Sequence, residues 1–184
     1  MKQISHPLLA FYRGQGPDDR GRTLRAILAQ DDRWLEATHD FIQWLFPLAE
    51  RSGANPGAPV LDPATASAFI AEPGLRANLQ ASLQRMLRFY GLQLEAGRPG
   101  ESVTLAPGPN WAARRSNWFD RDTHNSLRLT RMIRSLAALG LRDEARALQQ
   151  GLLRLCEAEP GCGIGERTRG YWRRALDDAA PHRA

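Results

Sequence analysis

Apolar residues recur along most of the chain at three- and four-residue spacing, the period of helices with one buried face, and the runs stop at residues that end helices. From Pro73 the positions Leu75, Leu79, Leu83, Met86 or Leu87, and Tyr90 keep that spacing until Gly91, which suits the left-handed position after a helix. Asp62 followed by Pro63 marks an earlier start, running through Ala71: the carboxylate accepts a free backbone N–H, and proline fits the first helical position. Thr23 to Gln30 reads as a short helix. A second is predicted from Asp31 or Asp32 through Trp34 and Leu35 toward Phe46, where Pro47 breaks it. Arg51 to Leu61, with Gly53, Asn55, Pro56, Gly57 and Pro59, is a linker.

Thr123 caps the clearest helix, through Leu139 to Gly140. Asp143 caps another through Cys156, and Glu166 to Ala179 is predicted as a last helix, so that 160–184 is a C-terminal helix or partly ordered tail. Only Leu92 to Pro109 has strand character. There Gln93, Leu94 and Glu95 face Ser102, Val103, Thr104 and Leu105 across Gly97 to Gly100 as a small hairpin, with a loop as the alternative. No repeat of 20 to 50 residues appears, which argues against a solenoid. The expected fold is an all-α, irregular multi-helix domain with at most one hairpin near 92–105, and 184 residues suit a single domain over 1–184.

At 42% apolar and 24% charged residues the composition is globular, which excludes collagen-like, wholly disordered and membrane classes. The net charge of +5 rests on arginine, since Lys2 is the single lysine beside 24 arginines. A coding bias that enriches Arg, Ala, Gly and Pro together explains that skew without nucleic acid. The placement of charge says more. Both flanks are balanced, and the whole excess lies between Gly108 and Arg142, where Arg114, Arg115, Arg121, Arg128, Arg131, Arg134 and Arg142 face only Asp120 and Asp122. A local basic segment of this kind attracts anions.

The first residues, Met1 to Tyr12, lack the long apolar core of a secretory signal, and Phe41 to Ala49 is too short to span a bilayer, so a cytoplasmic protein with no membrane span is expected. Cys156 and Cys162, with five residues between them and no histidine nearby, match neither zinc spacing nor a CxxC pair. Reduced thiols, no metal and no cofactor are expected.

Wound at 100° per residue from His124, the helix after Thr123 puts Arg128 at about 40°, Arg131 at about −20° and Ser135 at about 20°, a polar stripe beside the apolar one of Leu129, Met132, Ile133, Leu136 and Leu139. Free N–H groups at its start add partial positive charge near Thr123 to Asn125. Arginines on an outer helix face usually meet water or carboxylates, but this helix holds no Asp or Glu to neutralise them. In His39-Asp40-Phe41-Ile42-Gln43-Trp44-Leu45-Phe46, apolar on nearly all sides, His39 and Gln43 are polar at i and i+4. A core pair holding two helices in register is the plainer account of them, with catalysis the alternative. Neighbouring His39 and Asp40 point about 100° apart on a helix, which argues against a dyad. Trp111, Trp118 and Phe119 interleave with Arg114, Arg115 and Arg121, a mixture that can stack bases or simply anchor a helix.

The segments HDFIQWLFPL (His39 to Leu48), MLRFYGL (Met86 to Leu92) and HNSLRLTRMIRSL (His124 to Leu136) resemble the conserved N-terminal domain of the opioid growth factor receptor family. Asn55-Pro56 and Ala58-Pro59, Asn110-Trp111, Phe11-Tyr12 and Asp18 to Leu24 fall in matching order, so that the resemblance covers about 11–153. It implies receptor-like binding: animal members are described as nuclear-associated receptors for an enkephalin peptide, with long C-terminal extensions. It brings no catalytic residues. Arginine usage and compactness suggest a bacterial member. The expected function is a ligand-binding or interaction module in which His39, Gln43, His124, Asn125, Arg128 and Arg131 line a polar cleft for an anionic small molecule or peptide, held by its carboxylate or phosphate. The alternatives are an enzyme using His39 or His124 as general base with arginines stabilising negative charge, and nucleic-acid binding through the basic 108–142 segment.

Overall fold

The structure, a computed structural model, describes residues 6–97 and 102–178. The chain forms two compact units, Met1–Ser82 and Leu83–Ala184. The first contains α1 (Pro7–Tyr12), α2 (Leu24–Leu28), α3 (Asp32–Ala37), α4 (Ile42–Leu45), α5 (Pro63–Ala71) and the start of α6 (Pro73–Tyr90). Its helix starts are those the sequence marks. Thr23 accepts the Ala26 N–H at 3.2 Å, Asp31 that of Trp34 at 2.7 Å and Asp62 that of Thr65 at 2.7 Å.

One helix predicted from Asp31 or Asp32 to Phe46 is instead two. The backbone leaves the helix at Thr38 (φ −100°, ψ 131°) and resumes at Ile42. Partners far along the chain hold the break. The Asp40 carboxylate lies 2.8 Å from Arg22 and 3.1 Å from Arg20, and its backbone carbonyl accepts the Asn55 side-chain amide at 2.8 Å. Arg22 also meets buried Asp18 at 2.7 Å. A carbonyl turned toward Asn55 is unavailable to a continuous helical ladder.

Rings fill the interior of this unit. Phe11 lies 5.2 Å from Trp44 and Tyr12 lies 4.7 Å from Phe69, centroid to centroid, while the Tyr12 hydroxyl donates to the Leu45 carbonyl.

In the second unit α6 ends at Tyr90, and Gly91 (φ +76°) turns the chain at once into the only sheet among the described residues. Strands β1 (Leu92–Glu95) and β2 (Thr104–Pro107) pair antiparallel with Leu94 opposite Leu105. The second strand lies two residues beyond the predicted 102–105 because β1 starts directly after Gly91 and Leu105 is pressed against α9 (Arg142–Ala158). A Cβ added at Gly151 of that helix would stand 2.3 Å from the Leu105 Cβ. Part of the predicted turn, 98–100, lies outside the described residues.

After α7 (Trp111–Arg114) and a 3-10 turn (Arg115–Asn117), α8 (His124–Ala138) packs on α9, and α10 (Glu166–Arg174) packs on both. Gln149 of α9 donates to the carbonyls of Trp172 and Arg173 at 2.7 and 2.9 Å, fixing the end of α10. Leu141, without a side-chain bond, holds the cap position predicted for Asp143, which sits instead in the first turn of α9 where its charge suits the helix dipole. The last helix stops at Arg174, short of the predicted Ala179, which lies outside the described residues. The fold is mostly helical with one small hairpin, and among the described residues no helix is long and apolar enough to cross a membrane.

Two buried acids set an alkaline limit. Burial drives the Tyr12 phenol above its usual range, and burial with a hydrogen bond to Cys162 pushes the Cys156 thiol up from 9.0 to about 12. Both folded values are raised, so the native state keeps protons that the unfolded chain releases; the stabilisation is complete below about pH 9 and is lost as pH rises from there. Melting temperature should therefore hold to about pH 9 and then fall, and Tyr12→Phe or Cys156→Ala should flatten the fall. Scanning calorimetry from pH 7 to 11 would measure it.

Candidate functional site

The polar face of α8 is buried. Asn125 is wholly buried, Arg128 is 4% exposed and Ser135 is 0% exposed, whereas Leu127 on the other side is 65% exposed. His124 and Arg131 are half-buried. The sequence placed His124, Arg128, Arg131 and Ser135 on one stripe; Arg128 and Ser135 on it are buried against protein, while His124 and Arg131 keep part of their surface exposed. The Asn125 side-chain oxygen accepts from an Arg128 guanidinium N–H at 3.2 Å and from the Tyr90 hydroxyl at 3.4 Å. Burying a guanidinium is costly unless it is held by hydrogen bonds, and Asn125 supplies one from a turn away. Tyr90 read from the sequence only as a core position, because its neighbour is 35 residues distant. The Ser135 hydroxyl, two turns beyond Arg128, is buried without a hydrogen-bond partner among the described residues.

The start of α8 is closed, contrary to the expectation of free N–H groups. Thr123 accepts the Asn125 N–H on its hydroxyl at 3.2 Å and the Ser126 N–H on its carbonyl at 3.0 Å, and the Ser126 hydroxyl accepts the Thr123 N–H at 3.3 Å. This reciprocal cap satisfies the groups that would otherwise draw an anion.

His39 and Gln43 do not share a helix face. His39 is exposed in the break between α3 and α4, while Gln43 is 4% exposed on α4, its side-chain oxygen without a hydrogen-bond partner among the described residues. They belong to the first unit, and the α8 residues to the second.

In the aromatic and arginine mixture at 111–121, Trp118 and Phe119 are turned inward, Trp111 is half-buried and Arg121 is exposed. Trp118 and Phe119 are 1% and 0% exposed, and Trp118 donates its indole N–H to the Tyr90 carbonyl at 2.9 Å. Arg115 lies over the rings of Trp111 and Phe119, 5.5 and 5.1 Å from their centroids, 3.6 Å from both Asp120 and Glu159, and donates to the Pro160 carbonyl. Arg114 lies over Phe89 and donates to its carbonyl at 2.8 Å. Base stacking needs open ring faces, and Trp118 and Phe119 offer none. A shallow surface depression on α10 is lined by Glu166, Arg167, Gly170, Tyr171, Arg173 and Arg174, but there Arg173 pairs with Glu166 and Arg174 lies over Tyr171. No group of three or more potential metal-binding side chains converges among the described residues.

The fold is mostly helical and irregular, with much of one polar helix face buried. The chain belongs to the opioid growth factor receptor family: the family model described as the opioid growth factor receptor (OGFr) conserved region matches residues 9–158. The chain is 39% identical over 107 residues to the mouse opioid growth factor receptor, covering 58% of the chain and 16% of that protein. The human receptor is 38% identical over 107 residues, 58% of the chain and 15% of that protein. Mouse opioid growth factor receptor-like protein 1 is 33% identical over 136 residues, 72% of the chain and 28% of that protein. The chain thus spans less than a third of the length of each of these relatives. No solved structure matches.

Proposed function

We propose that the domain is a binding module that takes an anionic group, a peptide carboxylate or a phosphate, at the polar face of α8. The observation that carries the reading is Arg128, 4% exposed and held by Asn125 on the face that also bears half-buried His124 and Arg131. A guanidinium already fixed in place leaves little ordering to do on binding, and half-buried His124 and Arg131 carry the same face out to solvent. The surrounding segment, with seven arginines against two aspartates, carries the chain's whole excess of positive charge, which favours an anionic ligand. The relatives' names describe them as receptors, which supports ligand binding over catalysis. His39 and Gln43, in the first unit, enter no part of the reading.

Inorganic phosphate and a short acidic peptide are the probes. At about a hundred times the dissociation constant a native-state ligand adds about 2.7 kcal/mol, worth roughly 5–10 °C in a chain of this size. Arg128→Lys should weaken the effect although charge is kept, Arg128→Ala and Arg131→Gln should remove it, and Arg146→Ala, on exposed α9 surface, should leave it intact. If the α8 variants respond to either anion as the wild type does, the site is not on α8.

A further inference from the structure

Helix α10 is anchored on one side. Thr168 and Trp172 are buried, the Trp172 indole N–H donates to the Ser126 carbonyl of α8 at 3.5 Å, and Gln149 of α9 binds the Trp172 and Arg173 carbonyls. Wound at 100° per residue, Arg167, Gly170, Tyr171 and Arg174 fall within about 100° of one another, on a face that Thr168 and Trp172 do not share. Gly170 is half-buried and the other three are exposed, Tyr171 by 41%, which makes it one of three large apolar side chains so exposed among the described residues. The helix lies beyond residues 9–158, which the family model matches.

Charge on this helix is partly spoken for. Arg173 pairs with Glu166, and Arg169 donates to the Ile164 carbonyl at 3.0 Å and to the Cys162 sulfur at 3.6 Å. Arg167 and Arg174 pair with no carboxylate among the described residues, Asp177 and Asp178 just past the helix included. The Arg174 guanidinium lies over the Tyr171 ring, 5.7 Å from its centroid, and a Cβ added at Gly170 would stand 3.5 Å from its Nη1. A guanidinium laid on a ring keeps its in-plane N–H groups for a carboxylate, so Arg174 is positioned but not neutralised.

We propose that this face of α10 docks a partner protein through an acidic amphipathic helix, whose apolar side chain packs on Tyr171 beside Gly170 while its carboxylates meet Arg167 and Arg174. A helix presents acids at i and i+7 about 10.5 Å apart, the separation of Arg167 and Arg174 along α10. Gly170 carries no side chain, which leaves the gap that an apolar side chain needs. Charge complementarity selects a short acidic segment over a polyanion. Nucleic-acid binding draws on roughly 6–10 phosphate contacts, against two open arginines here, and exposed Asp177 and Asp178 repel phosphates at the end of the face. The proposal does not depend on an anion site at α8.

The test is calorimetric titration and amide NMR of the full chain with a helical peptide carrying two Glu seven residues apart and a Leu midway between them. Its twin carries Gln for both Glu. The Glu peptide should bind saturably, more weakly as sodium chloride is added, with its largest amide shifts at Gly170 and Tyr171, and the Gln twin should bind several-fold more weakly. Arg167→Ala and Arg174→Ala should each weaken binding several-fold, and Arg146→Ala should not. Gly170→Leu should fill the gap and abolish binding without lowering the melting temperature, because leucine favours a helix more than glycine does. Arg131→Gln separates the two sites: it should leave the Glu peptide bound at α10. Equal binding of the twins, or undiminished binding to Gly170→Leu, overturns the proposal. So does binding that Arg131→Gln removes and the α10 variants keep, which places the peptide on α8. A single-stranded oligonucleotide or phosphatidylserine vesicle that binds more tightly than the Glu peptide through Arg167 and Arg174 overturns the assignment of a protein partner.

Discussion

The Trp44→Ala variant should lose about 3–5 kcal/mol of unfolding free energy, a large part of what a typical domain possesses. Trp44 is 3% exposed, its ring lies 5.2 Å from Phe11, and Phe41, Leu45 and Phe46 around it are all at 0%. Removing the indole leaves a cavity that rings belonging to separate short helices cannot close without moving those helices. The indole N–H donates to Asp19 at 2.7 Å, but Asp19 is exposed, and water can replace that bond. Trp44→Phe therefore separates the two contributions: it keeps much of the volume, loses the donor and should cost less than half as much. Urea denaturation of both variants measures the difference. Equal losses would mean that the hydrogen bond, and not packing, holds α4 in place.

Gly163→Ala should cost about 3 kcal/mol, lowering the melting temperature by roughly 6–12 °C. A Cβ at this position would stand 1.8 Å from the Asp120 carbonyl oxygen, so the loop or the segment before α8 must move. Movement breaks the 2.9 Å bond from the Gly163 N–H to the Phe119 carbonyl, and it displaces Cys162 next door. The obstacle is backbone, which cannot swing aside as a side chain does. Gly53→Ala is the control: no atom lies within 4 Å of its added Cβ, and its melting temperature should stay within a degree or two. A mild effect at Gly163 would show that the loop relaxes freely.

Most helix starts were legible because a cap is a local event: Thr23, Asp31, Asp62 and Thr123 each accept from an N–H two or three residues away. The buried stripe of α6, Leu75 through Tyr90, was legible for the same reason, since helical spacing is a property of neighbours. The same periodicity put His124, Arg128, Arg131 and Ser135 on one face and could not say which way it turned. That depends on what packs against α8, and in the second unit α9 and α10 both do.

By itself, then, the sequence determined the helical class, most of the caps, the glycine turn after α6, the local excess of arginine and the resemblance that the family match bears out. The tertiary structure alone decided the break at Thr38 to Phe41, the inward turn of Arg128 and Asn125, and the burial of Trp118 and Phe119. Each of these is fixed by a partner that chain spacing does not announce: Asn55 and Arg22 for Asp40, and Tyr90 for Asn125 and for the indole of Trp118. Short-range hydrogen bonding and periodicity are written in neighbouring residues. Burial of a polar group is settled only when distant segments supply the bonds that water gave it.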